Sequence, residues 1–123
     1  MNLSRKLLVT AATLAMSAGS LALTTTQASA VSGKGCDWPK VCFYLTQAKW
    51  NANSPTAAFQ DMDYWQTLGS QSRGSKWVWN SRNDDGALLH FTDGHTMCLS
   101  ANSYAYVGGY TVDKIKIVNP ANC

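Results

Sequence analysis

The sequence predicts a small all-β domain stabilised by disulfides, on three observations. All seven acidic residues are Asp and none is Glu, which removes a good helix former and leaves a residue that favours turns. Short runs of β-branched and aromatic residues alternate with clusters of Asn, Asp, Gly and Pro, as strands joined by turns do. The chain also has four cysteines in 123 residues, which is typical of small exported domains with two disulfides.

Five segments carry the strand signal. The strands are predicted over residues 41–45, 76–79, 87–91, 96–99 and 114–117. Asp93-Gly94 lies between the third and fourth segments, and this dipeptide is a strong hairpin signal because Gly tolerates positive φ. The last segment alternates Lys and Ile, so it should be a strand with one buried face.

Two stretches of the chain resemble each other. Leu68-Gly69 with Ser75-Lys76-Trp77-Val78-Trp79 is echoed by Val107-Gly108 with Asp113-Lys114-Ile115-Lys116-Ile117, at an offset of about 39 residues. The repeat predicts two similar β units packed face to face, because neither unit alone could bury its apolar side.

The first 30 residues have the pattern of a secretory signal. Arg5 and Lys6 are followed by a mostly apolar stretch, and Ala28-Ser29-Ala30 offers the small side chains of a cleavage site. Removing 30 of the 123 residues leaves 93, enough for one domain. We expect a secreted, extracellular protein with residues 1–30 as signal peptide, 31–40 as a flexible N-terminal segment and 41–123 as the β domain.

The charge excludes two classes of partner. Without Arg5 and Lys6 the chain keeps eight of its ten Lys and Arg residues against seven Asp, so it lacks the strong positive charge that nucleic acid or an anionic membrane attracts. No later apolar run approaches the roughly 18 residues that span a bilayer. We expect a monomer that binds neither nucleic acid nor, once the signal is removed, a membrane.

The four cysteines, Cys36, Cys42, Cys98 and Cys123, allow three disulfide pairings. We favour Cys36 with Cys42, since Pro39 can turn the chain between them, and Cys98 with Cys123, which would pin the C-terminal residue to a strand. Zinc ligation is the alternative, but the spacings match no familiar zinc pattern.

One cluster of residues could carry chemistry. His90 and His95 bracket Asp93, so two imidazoles and a carboxylate could meet across the hairpin as acid, base or metal ligands, for instance in a ribonuclease. A turn centred on Asp93-Gly94 places His90 further back on its own strand, so the hairpin does not guarantee that they converge, and Glu is absent. We expect no enzyme activity, no catalytic residue, no cofactor and no metal, although Asp84-Asp85 could hold a weak cation instead of forming a solvated turn.

The aromatic residues suggest either core or contact roles. Trp77 and Trp79 share one strand face and are expected to fill the space between two sheets. Five others lie in segments that read as loops, where exposed rings can stack on sugars or anchor a protein partner. They are Trp50, Tyr64, Trp65, Tyr104 and Tyr106.

Several short motifs resemble those of one family. They are Cys36, Val41-Cys42-Phe43-Tyr44, Trp50, Trp79-Asn80 and Asp113-Lys114-Ile115. Together they resemble the actinobacterial secreted βγ-crystallin-type proteins, which include the Streptomyces metalloproteinase inhibitor family and killer-toxin-like relatives. The resemblance implies a βγ-crystallin-like sandwich of two Greek-key motifs and a local Cys36–Cys42 disulfide. Trp50 is followed by Asn51-Ala52 where relatives often have Gly, and the hydroxyl residues of the family's calcium signature are missing.

The function that the resemblance implies is inhibition of an extracellular metalloprotease by a small non-enzymatic binding protein. A crosslinked scaffold would hold residues 47–55 or 80–86 in the bound conformation, so that docking costs little ordering entropy. The alternatives are a carbohydrate or cell-wall binding module and an antimicrobial effector. The residues expected to contact the partner, whether protease or glycan, are Trp50, Asn51, Asn53, Tyr64, Trp65, Asn83 and Asp84.

Overall fold

A computed structural model describes residues 33–123, so the expected signal peptide over residues 1–30 lies outside the described residues. This part of the chain forms eight strands and one short helix. In chain order they are β1 (Val41–Tyr44), α1 (Gln47–Asn51), β2 (Ala57–Phe59), β3 (Gln66–Thr67), β4 (Trp77–Asn80), β5 (Gly86–Phe91), β6 (Thr96–Leu99), β7 (Ser103–Tyr106) and β8 (Val112–Val118).

The strands form two antiparallel four-stranded sheets, which confirms the all-β prediction. The first sheet has the order β2-β1-β4-β7 and the second has the order β3-β8-β5-β6. All five predicted strands are present, and β5 and β6 pair as a hairpin across the expected turn, where Gly94 has a φ of 96°. Strands β2, β3 and β7 were not predicted.

Each sheet combines three strands of one half of the chain with the third strand of the other half. The first sheet takes β7 from the second half, and the second sheet takes β3 from the first half. Strands β1, β2 and β4 of the first sheet therefore correspond to β5, β6 and β8 of the second sheet, and β7 corresponds to β3. The two stretches that resemble each other in sequence contribute β4 and β8, which occupy equivalent positions.

One hydrophobic core lies between the sheets. Strands β1 and β4 supply Phe43 and Val78, and strands β5 and β8 supply Leu89 and Ile115, all with no exposed surface. Along β8 buried and partly exposed residues alternate, as the Lys-Ile pattern predicts. Because the inner faces of both sheets meet in this single cluster, the sheets pack face to face.

The expectation that Trp77 and Trp79 fill this core is wrong. Val78, between them, points inward and is fully buried. The two tryptophans therefore lie on the outer face of the first sheet, where they pack with Cys42, Tyr44 and Trp50. The physical reason is that this short strand has apolar side chains on both of its faces. The sequence therefore does not say which face points inward, and the opposite sheet decides it.

The favoured disulfide pairing is confirmed. Cys36 bonds to Cys42 and Cys98 bonds to Cys123, and residues 33–123 contain no free cysteine. The first bridge is buried. The second ties the C-terminal residue to β6, and the Gly86 amide of β5 donates to the nearby Pro120 carbonyl oxygen at 2.8 Å.

The described part of the expected flexible segment contacts the first sheet. Gly33 and Cys36 form an antiparallel bridge, and the Tyr44 hydroxyl donates to the Lys34 carbonyl oxygen at 2.6 Å. The Cys36–Cys42 disulfide adds a covalent connection to β1. We refer to residues 33–36 as the N-terminal strap.

Candidate functional site

The outer face of the first sheet is the most distinctive surface of the described chain. We call it the aromatic face, and it consists of Tyr44, Trp50, Trp77, Trp79, Tyr104 and Tyr106. Residues two apart on a strand point to the same side, and the strand register places Trp77 opposite Tyr106 and Trp79 opposite Tyr104. Adjacent strands thus bring four aromatic side chains into one surface.

Helix α1 covers the inner part of this face. The helix begins after Thr46, whose side chain accepts a hydrogen bond from the Lys49 amide, as an N-cap residue does. Trp50 then stacks on Trp77 with ring centroids 4.4 Å apart and meets the Tyr44 ring edge-on at 4.9 Å. Trp50 is 8% exposed. The prediction of an exposed Trp50 in a loop is therefore wrong, because the helix turns this ring onto the sheet.

The N-terminal strap lies against the same cluster. The Lys34 ammonium is 4.4 Å from the centroid of the Trp50 ring, close enough for a cation–π interaction. Tyr44, beneath it, is fully buried, and this burial raises the pKa of Tyr44 to about 12 because the phenolate would lose its solvation. The strap and helix α1 together cover the part of the aromatic face around Tyr44 and Trp50, and they leave Trp77 and Trp79 partly exposed.

The most exposed part of the aromatic face is a pair of tyrosine rings on the edge strand β7. Tyr104 and Tyr106 are 53% and 54% exposed. Tyr104 stacks on Trp79 at 5.0 Å with nearly parallel planes, and Tyr106 packs edge-on against Trp77 at 5.3 Å. Strand β7 is the edge of this sheet, and the Tyr104 ring also contacts the Trp50 ring at 5.3 Å. Each tyrosine is thus exposed yet held in place by a tryptophan.

Polar atoms of the tryptophans differ in their partners. The Trp77 indole Nε1 donates to the Gln47 side-chain oxygen at 2.9 Å, so helix α1 fixes the orientation of this ring. The Trp79 Nε1 atom is buried and has no hydrogen-bond partner among the described residues. The edge of the Trp79 ring lies against the strap. The approach is so close that a Cβ atom added at Gly33 would lie 3.0 Å from the ring.

The residues predicted to contact a partner lie in three separate places. Asn51 and Asn53 are exposed at the end of α1, beside the buried Trp50. Tyr64 and Trp65 precede β3 on the other sheet and are 53% and 41% exposed. The Tyr64 hydroxyl donates to Asp61 at 3.1 Å, and this hydrogen bond to a carboxylate raises the pKa of Tyr64.

Asn83 and Asp84 form the exposed tip of the third place, the β4–β5 turn. Arg82 and Asp85 beneath the tip are buried and form an ion pair at 2.7 Å, and Arg82 also donates to the Pro39 carbonyl oxygen at 2.7 Å. The Asp85 carboxylate is therefore already paired with the Arg82 guanidinium group. This pairing argues against the weak cation site at Asp84-Asp85. The turn is built on a buried network rather than fully solvated.

The two histidines do not form a joint site. His95 pairs with Asp93 within the turn, whereas His90 pairs with Asp113 at 2.6 Å. The His95 hydrogen bond lowers the pKa of Asp93. Asp113 is the extra residue of a β-bulge, since His90 is opposite Lys114 and Phe91 is opposite Val112. The bulge directs Asp113 toward His90, an arrangement that sequence spacing did not indicate.

Strand β7, which contains the exposed tyrosines, was not predicted from the sequence. Ser103, Tyr104, Ala105 and Tyr106 alternate small and aromatic residues, and this period-two pattern is the signal that could have found it. The burial of the strand alternates in the same way. Tyr104 and Tyr106 were instead placed in a loop, which the structure corrects.

The described part of the chain offers neither a cavity nor a cluster of metal ligands. Between residues 33 and 123 no cavity is found, and no three His, Cys, Asp or Glu side chains are grouped as metal ligands would be. None of the helical structure described there has the length and apolar character of a membrane span. Comparison of the chain with protein-family models, curated proteins and solved structures found no match.

Proposed function

We propose that the protein is an extracellular, non-enzymatic carbohydrate-binding protein and that the aromatic face is its contact surface. The observation that carries this proposal is the pair Tyr104 and Tyr106, each about half exposed and each held against a tryptophan. Rings fixed in this way lose little conformational freedom when a ligand binds, so more of the contact energy appears as affinity.

Ring chemistry favours a sugar as the ligand. The face of an aromatic ring carries partial negative charge, which attracts the positively polarised C–H groups on the flat side of a pyranose. The exposed part of the Tyr104 ring can accept one sugar, and Tyr106 lies about 7 Å further along the strand. The phenolic hydroxyls beside these faces can hydrogen-bond to sugar hydroxyls. The ligand class that we propose is a β-linked polysaccharide such as chitin or the glycan of peptidoglycan.

We further propose that the sandwich is of the two-Greek-key, βγ-crystallin type. In a Greek key the fourth strand returns to lie beside the first, and here β4 pairs with β1 and β8 pairs with β5. The third strand of each unit joins the opposite sheet. We also propose that the protein belongs to the crystallin-like inhibitor family and that it is secreted through a signal peptide. Two disulfides support secretion, because they persist in oxidising compartments.

The test is retention on insoluble polysaccharide. Purified protein beginning near Val31 is incubated with chitin and with peptidoglycan, and the bound fraction is measured for the wild type, Tyr104→Ala and Tyr110→Ala. Tyr110 is the matched control because it is 58% exposed but packs against Phe91 and His95, away from the aromatic face. We expect Tyr104→Ala to weaken binding at least tenfold, which corresponds to about 1.4 kcal/mol, and Tyr110→Ala to bind as the wild type does. Absence of retention, or equal retention of both variants, contradicts the proposal.

Protease inhibition is the second candidate, favoured by the β4–β5 turn. The exposed tip of Asn83 and Asp84 stands on the buried Arg82–Asp85 pair, so a loop of this kind could enter an active-site cleft without further ordering. If this candidate is correct, a metalloprotease secreted by the same cells loses activity at near-equimolar protein, and N83A/D84A restores it. Digestion of the intact protein by that protease refutes it.

A further inference from the structure

The outer face of the second sheet has a different chemistry from the aromatic face. We call it the basic face, and it consists of Trp65, His90, Lys114 and Lys116. The register places Lys114 between Thr67 and His90, and Trp65 lies two residues before Thr67, on the same side. Adjacent strands thus bring one exposed tryptophan beside two lysines.

The exchange of third strands explains why each outer face has an exposed ring. Tyr104 comes from β7 and lies against Trp79 of β4, whereas Trp65 precedes β3 and lies near Lys116 of β8. Strands β4 and β8 occupy equivalent places in the two sheets. On the aromatic face the exposed ring, Tyr104, therefore has a tryptophan as its neighbour. On the basic face the exposed ring, Trp65, has a lysine instead.

The groups around Trp65 leave both the ring and the lysines available. Trp65 is 41% exposed, and the Lys116 Nζ atom is 6.0 Å from its ring centroid, at the outer limit of a cation–π contact. Among residues 33–123 neither Lys114 nor Lys116 has an ion-pair partner.

Two of the three aspartates near Trp65 are already engaged, whereas Asp63, two residues before Trp65, is exposed and has no ion-pair partner among residues 33–123. Asp113 pairs with His90 and Asp61 accepts from Tyr64. His90 also packs edge-on against Trp65 with ring centroids 6.0 Å apart, which supports the tryptophan from one side. A ligand on Trp65 would therefore meet an unpaired ammonium group and no unpaired carboxylate from these two aspartates.

We propose that Trp65 and Lys116 form a second binding site, whose ligand is an acidic polysaccharide built of uronic acids. A uronic acid has both features that the site recognises: a flat pyranose side for the indole ring, and a carboxylate on a ring carbon for the nearby ammonium group. Lys114, two residues away on the same face of β8, pairs with the next carboxylate of the polymer. A phosphate polymer without sugar rings would use the lysines but not the tryptophan.

The experiment is affinity electrophoresis in gels that contain polygalacturonate, with polyphosphate gels as the comparison. We expect Trp65→Ala and Lys116→Gln each to weaken polygalacturonate binding about tenfold, whereas Lys116→Arg keeps it. Lys49→Gln is the charge-matched control, because Lys49 is exposed on α1 at the other sheet, and it should bind as the wild type does. Circular dichroism of each variant verifies that the fold is kept.

Three results would overturn this proposal. They are no retardation by polygalacturonate, equal retardation of the wild type and Trp65→Ala, or polyphosphate binding as tight as polygalacturonate binding. The chitin assay separates this site from the aromatic face. Tyr104→Ala should lose chitin but keep polygalacturonate, and Trp65→Ala should do the reverse, so either site can fail without the other.

Discussion

The disulfide between Cys98 and Cys123 should contribute more to stability than its exposed position suggests. Both residues are exposed, so replacing them by alanine removes little packing. The bridge closes a loop with a sequence separation of 25 residues, and the chain-entropy relation assigns such a loop about 3.5 kcal/mol at 25 °C, arising from the unfolded chain. For a domain of this size that loss lowers the melting temperature by about 15–20 °C.

The matched variant removes the other bridge. Cys36 and Cys42 are separated by 6 residues, for which the same relation gives about 2.2 kcal/mol. Both are 1% exposed, so C36A/C42A also leaves a cavity beside the aromatic face and adds a packing cost. The two variants therefore lose stability for different reasons, one in the unfolded chain and the other partly in the folded core.

The assay is guanidinium unfolding at 25 °C followed by tryptophan fluorescence, with the remaining disulfide intact. C98A/C123A should lower the free energy of unfolding by about 3.5 kcal/mol and increase the denaturant slope, because its unfolded chain is less compact. A loss below about 1 kcal/mol would refute the chain-entropy reasoning. A second readout is carboxypeptidase, which should trim the C-terminal residues of the variant but not those of the wild type.

Three further predictions concern buried positions. Stability should fall as the pH rises from about 10 to about 12, by about 2–3 kcal/mol in all, because the unfolded Tyr44 phenol ionises at its ordinary pKa of 10.0 while burial keeps it protonated up to about 12 when folded. Denaturation at each pH should show this contribution in the wild type and not in Tyr44→Phe. Gly86→Ala should cost about 1–3 kcal/mol, because its Cβ would lie 2.6 Å from the Cys123 Sγ atom and 2.9 Å from the Pro120 carbonyl oxygen; the cost should shrink in part in C98A/C123A, where only the backbone contacts remain. Asn80→Ala should cost about 2–4 kcal/mol in thermal or chemical denaturation, since its buried amide donates to three carbonyl oxygens; Ser103→Ala, which removes only an exposed hydroxyl contact, should change little.

The predictions that succeeded depend on local chemistry. Asp93-Gly94 determines a hairpin because its turn geometry needs a residue that tolerates positive φ, and the structure has that hairpin. Alternating Lys and Ile determine a strand with one buried face, and β8 is such a strand. The favoured disulfides also followed from local constraints, a proline turn for one and the chain end for the other.

The predictions that failed depend on what lies opposite a residue. Trp77 and Trp79 were expected inside, and Trp50 was expected outside, yet the structure reverses all three. Nor did the sequence indicate that the His90 side chain would meet Asp113, 23 residues away. In each case the local pattern is compatible with both outcomes, and a distant segment decides between them.

The order of residues is enough to predict a small domain of strands and turns with two disulfides and to favour one of the three possible cysteine pairings. Only the packed molecule decides that β3 and β7 change sheets, and with them which aromatic rings reach the surface. The reason is that alternation assigns residues to two faces without saying which face is inward, since burial depends on the sheet that packs against it.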